Sequence, residues 1–292
     1  MTEPVSTRKG ILVMLLSVLL FAANCLIVRW VGLYAEIDGW MASFTRGLAG
    51  AIFVLALYSR GRGLNLSHLG RPLLIARGLL GMLAISMLYF TIIHLGAARA
   101  LVINLTYPLF GSLIAAFFLK EKLQPKTMVL LVVALFGLIL FFLESLLDST
   151  FGYYDLLGIL AALVAGGVIV IIRKLTRSET AATIYSSQCV ITLLLTAPLA
   201  APDFAGIPTT AWILMMLGGF IVAWGQILIT KGFYHLDIAR GSALQMLVPL
   251  FTGLGAFFLF GERFTPVEIL GAVITLFATW QISTSSPKEE KS

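Results

Sequence analysis

Two amides and one cation stand where an otherwise apolar chain leaves little else to do chemistry. Asn104 and Gln245 each lie inside a long apolar run, and Pro108 and Pro249 follow them four residues later. A carboxamide both donates and accepts, so a pair of them can hold the amino and carboxyl groups of a zwitterion without adding charge. Pro108, Gly111, Ser112 and Ala115 recur at spacings of 4, 7, 8 and 11 from Asn104, which sets them on one helical face. Gln245, Pro249, Thr252, Gly253 and Ala256 repeat that stripe. Polar groups are costly toward lipid and small residues permit close approach, so both stripes are expected to point inward. Cavity lining and helix packing with a proline kink explain them equally well.

Arg46 is expected to be the one ionisable side chain well inside an apolar run, about 10 Å from its start at 1.5 Å per residue. An unpaired cation there is costly, so it marks a functional site, with snorkelling to a headgroup as the competing reading. Asn24 lies seven residues after Ser17, two turns along one face, and serves either an interhelical hydrogen bond or a ligand. Tyr89, Tyr107, Trp224 and Gln226 fall in mid-run, where aromatic faces and polar edges suit a flat or cationic solute. Ser186, Ser187 and Gln188 are adjacent and spread around their helix, so at least one of them packs rather than binds. Pro108, Pro249 and the pair Gly166-Gly167 are candidate bending points for gating. His68, His94 and His235 are far apart, and no nucleophile, phosphate loop or metal-ligand spacing is visible, so no cofactor, metal or catalytic group is implied.

The elements that must position these residues follow from composition. Of 292 residues, 59% are hydrophobic and 12% charged, against about 45–50% and about 25% in soluble domains. Apolar runs cover about 11 to 31, 39 to 58, 73 to 93, 97 to 119, 127 to 146, 155 to 172, 180 to 200, 208 to 230, 239 to 260 and 266 to 283. Ten spans at about 20 residues each leave no length for an ATPase, kinase or DNA-binding module. Residues 127 to 143 are continuously apolar, which a β-barrel strand pattern forbids. The first run is too long for a signal peptide and is expected to be retained. Cys25 and Cys189 lie inside apolar runs and say nothing of redox compartment. The net charge of +6 therefore reports orientation in a bilayer rather than nucleic-acid binding.

With the N-terminus inside, sixteen of the twenty Lys and Arg fall on inner segments, among them Arg60, Arg62, Arg71, Arg77, Lys122, Arg173, Lys288 and Lys291. Both termini are then cytoplasmic. The fourteen acids all lie at span ends, loops or tails, so no intramembrane carboxylate is available for a proton relay.

A duplication sets the architecture. HLGAARALVINLTYPLFGSLIAAFFLKEKLQPKTMVLLVVALFG from His94 aligns without a gap on HLDIARGSALQMLVPLFTGLGAFFLFGERFTPVEILGAVITLFA from His235, at an offset of 141, with fifteen of 44 positions identical. The matches include His94 with His235, Arg99 with Arg240, Pro108 with Pro249, Glu121 with Glu262 and Pro125 with Pro266, which chance similarity between apolar helices does not supply. Five helices per unit, an odd number, force the second copy upside down. The expected fold is all-α integral membrane, ten transmembrane helices as two inverted five-helix repeats, residues 1–148 and 149–292, with a solute site near the midplane between them.

This plan, with a Glu, a basic residue, a Pro and a Gly-containing apolar helix closing each repeat, resembles the EamA branch of the drug/metabolite transporter superfamily over about residues 10 to 283. Within it the chain looks like bacterial exporters of amino acids and related metabolites, including the aromatic amino-acid exporter. The resemblance implies efflux of small amphipathic solutes, aromatic drug-like cations among them, across a bacterial inner membrane, with the lipid bilayer as the other partner. Oligomeric state stays open, a monomer included. The absence of an intramembrane acid points to facilitated transport by alternating access. An antiporter of phosphorylated or nucleotide-linked metabolites ranks second, because it would need cavity cations and only Arg46 is expected there, with Lys231 and Arg240 near the rim. A membrane-embedded enzyme ranks last.

Overall fold

Apolar runs of some twenty residues have one open-ended solution in hydrocarbon, a helix that satisfies its own backbone. The structure, a computed structural model, describes residues 5–32, 35–59, 63–95, 97–121, 124–147, 151–261 and 263–284, and these are helical with no strand among them. Arg60, Arg62, Lys122, Glu262, Lys288 and Lys291 of the charge and repeat arguments lie outside the described residues.

The helices are α1 (Thr7–Val31), α2 (Gly39–Tyr58), α3 (Pro72–Leu95), α4 (Ala97–Asn104), α5 (Tyr107–Phe118), α6 (Pro125–Phe141), α7 (Leu143–Leu147), α8 (Tyr153–Leu175), α9 (Ala181–Ala200), α10 (Thr209–His235), α11 (Ile238–Gln245), α12 (Val248–Phe260) and α13 (Pro266–Thr284). Counting α4 with α5 and α11 with α12 as single crossings, nine stretches of the described residues are long and apolar enough to span a membrane. The remaining apolar helix, α6, has 17 residues, the lower end of the range of about 17–25 for a span. Short polar side chains start several helices: Ser6, Asp38, Thr180 and Asp237 each accept a backbone N–H of the first turn.

The fourth and ninth runs, each read from sequence as one helix, are split by a two-residue turn at equivalent places, Leu105-Thr106 and Met246-Leu247. Proline explains both breaks. Pro108 and Pro249 carry no N–H for the carbonyls of Asn104 and Gln245 four residues back, and their rings crowd those carbonyls. The two amides are therefore the last residues of α4 and α11.

Outward faces are apolar: Leu12, Leu16 and Leu19 on α1, and Val273, Phe277 and Trp280 on α13, are exposed. Inward, α1 packs on α10, α2 on α9, α3 on α8, and α6 on α13. The last pair meets backbone to backbone, since a Cβ on Gly137 would stand 2.7 Å from the Gly271 carbonyl oxygen, and Thr275 Oγ1 donates to the Ala134 carbonyl at 3.2 Å. A core of Met14, Val18, Leu74, Ile169, Phe233 and Ile238 joins elements of both halves of the chain.

Candidate functional site

The polar heart of the molecule lies where α2, α3 and α9 meet under α1. Arg77, five residues into α3, is 1% exposed. Its Nη2 donates to Gln188 Oε1 on α9 at 2.7 Å, and Gln188 Nε2 donates to the Gly81 carbonyl on α3 at 3.3 Å. Nε and Nη1 of Arg77 are buried without a hydrogen-bond partner. The guanidinium lies along its own helix, occupying the space where a Cβ on Gly81 would sit.

Arg46 on α2 faces the same region. Its guanidinium carbon is 5.9 Å from the centroid of Phe21 on α1, and its Nε is buried and unpartnered. Tyr89, Tyr185 and Cys189 are its electrostatic neighbours, and Arg77 is near enough to oppose its charge. Cys25 on α1 also senses Arg46 and lies beside Thr252 of α12. The Tyr185 hydroxyl is buried beside the Cys189 thiol, close against Gly50, whose Cβ would lie 2.5 Å from it. Four helices, α1, α2, α3 and α9, thus bring a guanidinium pair, two phenols, an amide and an aromatic face to one place.

Among the described residues, no carboxylate forms an ion pair with Arg46 or Arg77. The described acids serve the rims instead. Asp155 takes Arg99 Nη2 at 2.6 Å and the Gly152 N–H at 2.7 Å. At the opposite end, Glu121 accepts from Arg173 Nε at 3.5 Å and from the Ile238 N–H at 3.3 Å. Arg173 Nη1 also donates to the carbonyls of Phe233 at 2.5 Å and Tyr234 at 2.9 Å. Glu179 binds His68 and Arg71.

The sequence-predicted residues divide. Arg46 and Tyr89 join the cluster. Asn24 lies beside it on α1, its Oδ1 within 2.9 Å of where a Cβ on Gly218 would stand. Gln245 is 4% exposed and donates to Met14 Sδ at 3.0 Å and Ser17 Oγ at 3.5 Å on α1, while Asn104 is half-buried at its own break. Tyr107 packs between two apolar cores. Pro108, Gly111, Ser112 and Ala115 are buried, as the inward stripe requires. Gly166 lets α8 touch α5, its Cβ position being 2.8 Å from the Gly111 nitrogen, whereas Gly167 faces open space.

Two expectations are corrected. Trp224 does not join the polar cluster: it is exposed with Ile213 and Leu217 on one stripe of α10, while Gly218 and Gly225, about 100° around the helix, pack against α1. Gln226 is half-buried on another side of that helix. Arg46 is also not the single cation at depth, since Arg77, assigned from sequence to the cytoplasmic rim, is buried beside it. The signal that identifies Arg77 is Gly81, four residues on along the same face of α3, which leaves the space that the guanidinium occupies. Of the Ser186-Ser187-Gln188 run, the two serines bond their own helix and Gln188 reaches across.

A groove of about 310 Å³ lies elsewhere, between Trp40, Met82, Leu83, Phe90, Leu157 and Leu195. Its walls are almost wholly apolar and include neither arginine, so it is separate from the polar cluster.

Comparison with known proteins agrees with this architecture. A solved crystal structure superposes with a TM-score of 0.75 at 18% identity, over 96% of this chain and 97% of that one, which establishes a shared fold. The pseudopaline exporter of Pseudomonas aeruginosa strain UCBPP-PA14 is 28% identical over 243 residues, 82% of this chain and 84% of the exporter. The S-adenosylmethionine uptake transporter of Rickettsia bellii is 26% identical over 279 residues, 94% of this chain and 93% of its own. The EamA-like transporter family matches twice in succession, over residues 8–143 and 152–284. The polar cluster is thus held in a multi-pass helical membrane protein, and the chain belongs to the EamA-like transporter family.

Proposed function

We propose that the protein exports amino acids, aromatic ones among them, and related small metabolites across a bacterial inner membrane by alternating access of two inverted five-helix repeats, residues 1–148 and 149–292, with both termini cytoplasmic. The observation that carries this reading is reciprocity. Shifting every helix by one five-helix unit turns the α1 with α10 pairing into α8 with α3, and leaves α2 with α9 and α6 with α13 unchanged. Two copies related by a two-fold axis pair in this way, and the odd number of helices in each copy supports setting that axis in the membrane plane. The breaks at Asn104 and Gln245, 141 residues apart, obey the same relation.

The polar cluster between the halves is the proposed solute site, closed on one rim by Glu121 and Arg173. Transport is facilitated, running down the solute's gradient or by exchange, because Glu121, Asp155 and Glu179 are engaged at the rims and no described carboxylate pairs with Arg46 or Arg77. The name of the pseudopaline exporter supports outward movement of a small metabolite. A second reading, exchange of phosphorylated or nucleotide-linked metabolites, gains from the presence of Arg77 beside Arg46.

Proteoliposomes holding equal solute on both sides test the mechanism. A facilitator gives counterflow of labelled phenylalanine or tryptophan and no net accumulation under an imposed pH or sodium gradient. Accumulation abolished by an ionophore would establish coupling to an ion and refute it.

A further inference from the structure

The two arginines of the cluster raise a question of charge that amino-acid transport by itself does not answer. A neutral zwitterion brings one negative and one positive group. The site already holds two cations, and no described carboxylate pairs with either of them. A zwitterion bound there leaves a surplus of positive charge at membrane depth and finds no acid for its ammonium.

From this imbalance we infer that the solute carries a net negative charge, with its acidic groups received by Arg46 and Arg77. The inference rests on the transport reading above and narrows its cargo to metabolites with more acidic than basic groups. Arg77 keeps Nε and Nη1 without partners although it is 1% exposed. Arg46 keeps Nε free and is itself only half-buried, so it borders reachable space. The third donor of Arg77, Nη2, is held by Gln188 at 2.7 Å, and Gln188 is fixed in turn by the Gly81 carbonyl. A guanidinium locked on one edge presents its remaining edge in a set direction, which suits the two oxygens of a carboxylate or phosphate. The buried Tyr185 hydroxyl, set against the Cys189 thiol, adds a neutral polar group beside the pair. Gln188 acts here as a positioning residue. Its replacement by Leu frees the guanidinium edge without removing charge.

The test uses one side chain at four charges: N-acetyl-L-phenylalanine, L-phenylalanine, L-phenylalaninamide and phenyl phosphate. Counterflow in proteoliposomes reads transport. Thermal unfolding of the purified full-length protein, at constant ionic strength, reads binding independently of movement. The wild type is expected to favour N-acetylphenylalanine over phenylalanine and phenylalanine over its amide, by about tenfold between the extremes, the scale of one charge-assisted hydrogen bond. Arg46→Gln and Arg77→Gln should flatten that order. Arg77→Lys, which keeps the charge, should preserve part of it, and Lys174→Gln on the exposed rim should leave it intact. Gln188→Leu should weaken acid binding while keeping the order.

Preference for phenyl phosphate over N-acetylphenylalanine would uphold the net-anion site and assign phosphate as its partner. Stabilisation by the acids, lost in Arg77→Gln, with none of the four transported, would uphold the anion site and remove amino acids as cargo. Transport of phenylalanine and its amide that ignores both arginines would leave the transport reading standing and overturn the anion site. Neither binding nor movement of any probe would overturn both.

Discussion

Four arginines divide between the rims and the interior, and their surroundings differ in kind. Arg99 and Arg173 at the rims meet Asp155 and Glu121. Arg46 and Arg77 in the interior meet an amide, phenols and an aromatic ring, and between them retain three donors without acceptors. A rim pair closes its own electrostatics and ties helix ends together. The interior pair holds uncompensated charge, which at span depth costs about 2.5–3.5 kcal/mol per cation on insertion scales. A fold that keeps such a charge twice is maintaining a place for something it does not itself contain.

The comparison breaks most readily at Arg77. Arg77→Gln should reduce flux at least about tenfold, the loss of a charge-assisted bond of about 1.5–3 kcal/mol, while the unfolding temperature holds or rises because an uncompensated buried charge is removed. A parallel fall in both would return Arg77 to a structural role like that of Arg173.

Next in size is Gly81→Ala. The new Cβ collides with the movable end of Arg77, so flux should fall several-fold with little change in unfolding temperature. Gly78→Ala supplies the contrast, since its Cβ would lie 2.6 Å from the Ser187 carbonyl oxygen, a backbone atom that cannot swing aside. That variant should lose about 1–3 kcal/mol of stability from overpacking. Equal behaviour of the two glycines in paired flux and unfolding measurements would remove the assignment of the slot to Arg77.

On the rim side, Asp155→Asn removes the carboxylate that Arg99, whose side chain is 13% exposed, meets at 2.6 Å. Stability should drop by about 1–2 kcal/mol, seen as a lower unfolding temperature, with flux per folded molecule unchanged. The smallest effect is expected at Trp224→Leu, which trades one lipid-facing apolar side chain for another. Flux and stability should both stay within about 0.5 kcal/mol of wild type, and a large flux defect would return Trp224 to the binding site.

Much of this was legible in the sequence, for physical reasons that can be named. Spans are legible because hydrocarbon imposes a length and a composition. A bend near Asn104 and Gln245 is legible because proline acts on the carbonyl four residues back, a local rule needing no tertiary knowledge, whereas the full two-residue break is seen only in the structure. Arg46 stood out by depth alone. What stayed hidden depends on rotation about a helix axis. Trp224 and Gln226 are neighbours in sequence, and only the contact of Gly218 and Gly225 with α1 decides which of them meets lipid. Arg77 was hidden differently: counted from the end of its run it belongs to the rim, and only its side-chain direction, along α3 toward Gly81, carries its charge to the centre. Gln188 needed the α3 with α9 pairing before its reach had meaning.

The proline breaks have an electrostatic consequence. α4 and α11 each end in mid-span at an amide residue, whose backbone carbonyl is denied an N–H four residues on by the following proline and keeps its partial negative charge. Such a charge has no proton to gain or lose. The electrostatics of the two breaks therefore stay constant across every pH at which the helices persist, whatever the solute carries.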